Sequence, residues 1–183
     1  RAVASLVMYE PVPFWLLRHD ARGVGFGSER SAQAWREVRS VADGLASEFA
    51  SGRAERAAHD FVDYWSGAGA WASMGARQQH VVVQRMPGVL ANFDCLSAES
   101  VPLAAIAQLP LPAMWIGGAV SREPPQRLGE LLDAALPQMV RYTLPAVGHM
   151  GPVTHARLVN SLIRGFVDAQ RPRQSAAAWR KAA

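Results

Sequence analysis

The stretch whose reading decides the fold is Arg141–His155, RYTLPAVGHMGPVTH. It passes from an extended apolar run through Pro145 into Gly148-His149, then through Gly151 and Pro152 into the start of a helix. Open α/β sheets place their chemistry on short loops at the C-terminal ends of their strands, and histidine is the side chain that exchanges protons near neutral pH. His149 is therefore the first candidate catalytic residue. A loop histidine hydrogen-bonded only for structure fits the same local spacing, so the flanking segments have to decide.

Working outward, Val140–Leu144 reads as a strand. Before it, SREPPQRLGELLDAAL (121–136) reads as a turn and a helix with Leu128, Leu131, Leu132, Ala135 and Leu136 on its inner face. LPLPAMWIGG (109–118) is a further buried-strand signal, entered through two prolines and left through two glycines. Beyond the histidine loop, Leu158, Val159, Leu162, Ile163, Phe166 and Val167 recur at helical spacing, and the tail from Gln170 to 183 has no such face and reads as disordered. At the other end, Val3–Tyr9 is apolar without polar alternation, as in a strand covered on both faces of a parallel sheet. Glu10-Pro11 ends it. If both strands belong to one parallel sheet, the Glu10 carboxylate lies on the same rim as the His149 loop; a cap or an arginine pair is its structural alternative.

Between the first two strands the pattern is helical. Residues 19–29 are glycine-rich and read as a loop, and GVGFG lacks the preceding strand and the glycine-lysine pattern of a phosphate cradle. Helices follow from Ser31 and over Arg53–Trp65; an amphipathic segment over Trp71–Met86 ends where Pro87 interrupts, and Val89–Leu96 forms a short one. A run of helices inserted between two parallel strands is the pattern of a lid. Its Phe61, Tyr64, Trp65, Trp71, Met74 and Phe93 either pack the lid or line an apolar pocket; Trp65, Trp71 and Phe93, with Met150 beside the histidine, are the candidate substrate contacts. Asp94 is a candidate for orienting a histidine, with a surface or capping role as its alternative, and Cys95 reads as an inert buried thiol.

Composition narrows the class. The 183 residues, half of them hydrophobic, suit a globular protein with one domain or one domain carrying an insertion. The 19 Lys+Arg against 15 Asp+Glu give a formal charge of +4, but the arginines are scattered, so no nucleic-acid partner is expected. The single cysteine excludes an internal disulfide, and the five histidines lack paired ligand spacing, so neither a metal nor another cofactor is implied. Without an apolar run of about 20 residues or a charged-then-apolar opening, the expected place is the cytoplasm and no membrane partner is expected. The opening at Arg1, with a strand at once and no initiator Met, reads as the middle of a protein.

The order strand, helical insertion, strand, helix, strand, Gly-His loop, helix resembles the second half of an α/β-hydrolase. RAVASLVMYEP is similar to that superfamily's sixth strand, LPAMWIGG to its seventh, and LPAVGHMGPVTH to its eighth with the catalytic-histidine loop. The resemblance implies an α/β fold of three parallel strands with flanking helices and a helical lid: residues 1–18 and 98–169 as partial core, 19–97 as the cap. It also implies a nucleophile on a G-x-S-x-G elbow, a histidine base and an orienting acid. No G-x-S-x-G occurs in these residues, so the nucleophile, whether Ser, Asp or Cys, is expected upstream of Arg1. The superfamily's usual acid follows the seventh strand in a G-x-x-D pattern, where this chain has Gly118 and Ser121. Some members, as in one branch of the haloalkane dehalogenases, carry the acid at the end of the sixth strand instead, which is the place of Glu10; Glu123 and Asp94 are the lesser alternatives. His149 and Glu10 are thus the implied catalytic pair, acting on a small, largely apolar ester, thioester or C–C substrate. The chain by itself is expected to be inactive. The competing expectation is a non-enzymatic remnant, or a half-chain whose open strand edge assembles with a second copy or a complementing chain.

Overall fold

The computed structural model describes residues 3–23 and 26–170. Its frame is a three-stranded parallel sheet in the order β1 (Leu6–Tyr9), β2 (Ala113–Gly118), β3 (Met139–Leu144). Leu6 pairs with Ala113 and Tyr9 with Ile116; Ala113 pairs with Met139 and Gly118 with Leu144. The three strands therefore end on one rim. That follows from the apolar runs without alternation, since a strand covered on both faces gains by burying every side chain. All six residues of β2 are buried.

Alternate side chains feed two cores. Ala113 and Trp115 of β2, Leu6 and Met8 of β1 and Met139 of β3 join α1 (Trp15–Asp20), α7 (Glu123–Ala135) and the helices of the insertion. Met114, Ile116, Val7, Tyr9 and Leu144 pack on the opposite face against α9 (Ala156–Ala169), which follows the single turn of α8 (Gly151–Thr154), through Val159, Leu162, Ile163 and Phe166. Each large aliphatic side chain taken fully out of water here contributes roughly 1.5–3 kcal/mol. Trp115 is accommodated because its neighbours are glycines: a Cβ on Gly117 or Gly129 would lie 2.0 or 2.6 Å from its ring.

The insertion consists of α2 (Phe26–Ala50), α3 (Ala54–Ser66), α4 (Ala70–Ser73) and α5 (Ala76–Ala98), followed by the short α6 (Leu103–Ile106). Three expectations change here. The glycine-rich loop is shorter than expected, because α1 runs to Asp20 and α2 begins at Phe26 rather than at Ser31. Pro87 does not interrupt: α5 continues through it to Ala98. The proline is on the exposed side of the helix, where the carbonyl it leaves without a partner can turn to water. The break falls earlier, where Met74 and Gly75 are extended and the Gln78 side chain accepts the Gly75 N–H. Cys95 is exposed, not buried, because the inward face of α5 is set by Met86, Phe93 and Ser97. Of the tail expected to be disordered, 170–183, Gln170 instead closes α9 with its N–H on the Phe166 and Val167 carbonyls, and 171–183 lie outside the described residues.

Helix α2 is tied to the sheet-side helices by ionic bonds. Arg30 reaches Glu123 at 2.6 Å and Glu130 at 2.8 Å; Arg127 donates to Ser31 Oγ, Glu130, Asp20 and the Gly27 carbonyl. Among the described residues, no helix is long and apolar enough to cross a membrane.

Candidate active site

The end of β1 and the loop after β3 meet at the rim. Glu10 is fully buried at its side chain, and His149 Nδ1 lies 2.8 Å from Glu10 Oε2. The Gly118 N–H, at the end of β2, donates to Glu10 Oε1 at 2.6 Å. Each carboxylate oxygen thus has its own donor, which is how a buried carboxylate is tolerated. A carboxylate only accepts, so Nδ1 carries a proton, and in the neutral ring the lone pair is then on Nε2. Glu10 achieves this from a backbone φ of 37°, unusual for a residue with a Cβ and the mark of a position held by its surroundings.

The residue before Glu10 holds the same loop. Tyr9 O–H donates to the Gly148 carbonyl at 2.7 Å. Burial, together with the adjacent Glu10 charge, pushes the Tyr9 hydroxyl up to about 12, so it stays a donor at ordinary pH. Close approach fixes the rest of the loop. A Cβ on Gly118 would lie 2.0 Å from the Val147 carbonyl oxygen, and one on Gly151 would lie 2.0 Å from the Tyr9 hydroxyl. The Val120 N–H donates to the Val147 carbonyl, joining the turn after β2 to the turn after β3.

His149 opens on a cavity of about 360 Å³ between the rim and the insertion. Phe14, Phe61, Trp65, Phe93 and Met150 are among its walls; Ser66 and Asn92 are the polar groups besides His149, and no Asp, Glu, Lys or Arg lines it. The Trp65 ring lies against the imidazole, with centroids 4.4 Å apart and planes inclined at 38°. Behind Trp65, Tyr64 O–H donates to Glu37 at 2.8 Å, and Arg122 donates to the Tyr64 carbonyl with its guanidinium 4.2 Å over the Tyr64 ring. Burial and the Glu37 carboxylate raise the Tyr64 hydroxyl well above its ordinary range, keeping it the donor.

Of the residues singled out from sequence, the structure brings together Glu10, His149, Trp65, Phe93 and Met150. Trp71 is not in this cavity. It is buried at the far end of α3, its backbone N–H donating to Asp63 and its ring edge-on to His59, because the three residues 67–69 between α3 and α4 turn the chain away from the rim. Glu123 is engaged by Arg30, and Asp94 is on the exposed face of α5, so neither meets His149. At the usual acid position, Ser121 Oγ is buried and has no hydrogen-bond partner among the described residues. Sequence reasoning missed the Tyr9 latch, the Gly118 N–H and the Arg122–Tyr64–Glu37 contacts. Only Tyr9 carried a signal, as a polar tip closing an apolar strand.

No group of three or more His, Cys, Asp or Glu among the described residues is placed to hold a metal ion. The three parallel strands, the helices on both faces and the helical insertion make this part of an α/β-hydrolase fold. Solved structures agree in shape. MGS-M2, an α/β hydrolase from a Medee basin deep-sea metagenome library, superposes with a TM-score of 0.62 at 14% identity, covering 94% of this chain and 58% of its own. A bromoperoxidase from Bacillus anthracis gives 0.59 at 14% identity over 90% and 58%, and MenH from S. aureus 0.57 at 14% over 92% and 70%. The chain thus spans less than two thirds of the first two structures. No protein-family model matches the sequence, and no curated protein matches it significantly.

Proposed function

We propose that this chain is the histidine- and acid-bearing part of an α/β-hydrolase that acts on a small, largely apolar, uncharged ester, thioester or C–C substrate. The observation that carries the reading is the Glu10–His149 pair at 2.8 Å opening on a cavity lined by no Asp, Glu, Lys or Arg. Glu10 holds the imidazole in the tautomer that leaves Nε2 free to take a proton from a nucleophile and return it to the leaving group. Trp65, Phe93 and Met150 form the apolar wall, and residues 19–97 serve as the cap over it. The nucleophile is not in a G-x-S-x-G elbow of these residues, so the chain by itself has only weak general-base chemistry to offer. The fold likeness to a bromoperoxidase and to MenH leaves the reaction class within this superfamily open, and the neutral cavity favours an uncharged substrate.

An apolar chloromethyl ketone tests the pair without needing the nucleophile. Nε2 attacks the chloromethyl carbon, chloride leaves, and the ring nitrogen becomes alkylated. Mass spectrometry is expected to map the adduct to His149 ahead of His19, His59, His80 and His155, with labelling slowed in Glu10→Gln. Equal labelling of all five would overturn the reading. In parallel, hydrolysis of p-nitrophenyl butyrate by the isolated chain at rates typical of intact esterases, abolished by His149→Ala, would show that the nucleophile lies within these residues.

One observation favours a second reading, assembly through a strand edge: β1 pairs with β2 alone among the described residues. An unpaired parallel strand between apolar faces recruits another chain or a further segment. Light scattering separates the readings, since a monodisperse monomer that unfolds cooperatively argues against assembly.

A further inference from the structure

We propose that Trp65 is a positioning residue for His149, covering the imidazole so that its Nδ1–H bond to Glu10 stays closed to water. The inference rests on the base and acid reading of that pair, and goes beyond Trp65's part in the cavity wall. Glu10 is inaccessible, but His149 keeps a quarter of its side-chain surface exposed, so water competes for the bond from the histidine side. One ring stands against it. With centroids 4.4 Å apart and a 38° inclination, the indole is in contact with the imidazole, and turning the imidazole about Cβ–Cγ drives an edge into the indole.

The indole is itself fixed from behind. Tyr64 meets Trp65 edge to face at 4.8 Å and 88°, and Phe14 stacks beside it at 6.4 Å. Tyr64 is held by three contacts: its hydroxyl on Glu37, its carbonyl on Arg122 Nε at 2.7 Å, and the Arg122 guanidinium over its ring. Arg122 belongs to the turn that leaves β2, four residues after the Gly118 whose N–H binds Glu10. The same turn therefore fixes the acid through its backbone and the cover of the histidine through its arginine. This ties the orientation of α3 to the catalytic rim, which a packing role for Trp65 does not require.

The readout is the His149 Nδ1–H proton, observed at low field in a histidine-15N-labelled sample at constant pH. In the unsubstituted chain it is expected as a slowly exchanging resonance, shifted upfield or lost in Glu10→Gln. In Trp65→Leu, which keeps apolar volume but removes the ring face, exchange with water is expected to accelerate roughly tenfold or more, as for a bond opened to solvent. Trp65→Phe is expected to fall between, as is Arg122→Ala, which alters an exposed side chain and leaves Trp65 in place. Amide spectra away from the rim should not change. Native exchange in folded Trp65→Leu overturns the proposal; if that variant does not fold, native exchange in both Trp65→Phe and Arg122→Ala overturns it. A resonance indifferent to Glu10→Gln instead overturns the base and acid reading, so the two failures are distinct.

Discussion

Gly118→Ala is the most exacting test of how the rim is built. The added Cβ would lie 2.0 Å from Val147 O, 2.5 Å from Val147 C and 2.9 Å from Gly148 Cα, all backbone atoms. Contact becomes ordinary at 3.4 Å, so the deficit is 3.4 − 2.0 = 1.4 Å, and no rotamer can absorb it. The loop that carries His149 must move away from β2. Overpacking of this kind costs about 1–3 kcal/mol. Moving the loop also strains the Val120 N–H bond to Val147 O, a neutral bond contributing about 1 kcal/mol. It disturbs the Gly118 N–H bond to the Glu10 carboxylate, which contributes about 1.5–3 kcal/mol. If both bonds are lost the expected loss is then about 3.5–7 kcal/mol, a large share of a typical domain stability of roughly 5–15 kcal/mol. Urea unfolding followed by circular dichroism measures it, with Gly148→Ala as control. There the nearest atom to a new Cβ is Val120 Cγ2 at 3.7 Å, so the control should lie within about 0.5 kcal/mol of the unsubstituted chain or be more stable. A loss below about 1 kcal/mol in Gly118→Ala, or equal losses in both variants, would refute the steric argument.

Three further outcomes follow from the same contacts. Glu10→Gln offers one acceptor to two donors, the His149 Nδ1–H and the Gly118 N–H, and is expected to cost about 1–3 kcal/mol by urea midpoint, with relief of the buried charge working against it. Tyr9→Phe removes the latch on Gly148 and is expected to cost about 1 kcal/mol at neutral pH. The Tyr9 hydroxyl is raised from 10.0 to about 12 in the folded chain, so folding favours its protonated form. That contribution is complete below pH 10 and is lost as pH rises toward 12, and the alkaline loss should be shallower in Tyr9→Phe, with the remainder from Tyr64, which shifts the same way. Arg127→Ala takes one donor from buried Ser31 Oγ and one from each of the Asp20 and Glu130 carboxylates, which keep Ser31 and Arg30 as partners, and is expected to lower the thermal midpoint through a loss of about 2 kcal/mol; an unchanged midpoint would show that α2 does not depend on this anchor.

Much of the frame was legible from local pattern. The three strands lie within a few residues of their expected places, because a strand buried on both faces must be apolar throughout and its ends are marked by Pro, Gly or Glu. Helix boundaries were less legible. Pro87 was expected to stop a helix, but a proline's missing N–H matters only where the opposing carbonyl is shut away from water, and exposure is a tertiary property. Cys95 and Trp71 depart from expectation for a related reason: Gly67 and Gly69 mark the end of α3 in the sequence, but which face of each helix turns inward is set by packing.

For the candidate site, the sequence by itself marked the candidates: a histidine on the loop after one strand, a glutamate ending another with Glu123 and Asp94 as alternatives, and a serine where a carboxylate is more usual. Parallel pairing with a common register was needed to bring Glu10 and His149, 139 positions apart in the sequence, within hydrogen-bond distance. Only the tertiary structure puts Glu10 beside His149, with Glu123 held by Arg30 and Asp94 left in solvent. It also set Trp65 on the imidazole and turned Trp71 away. The physical reason is range: burial periodicity acts over a few residues and is written in composition, whereas the partner of a buried charge is settled by which elements pack together.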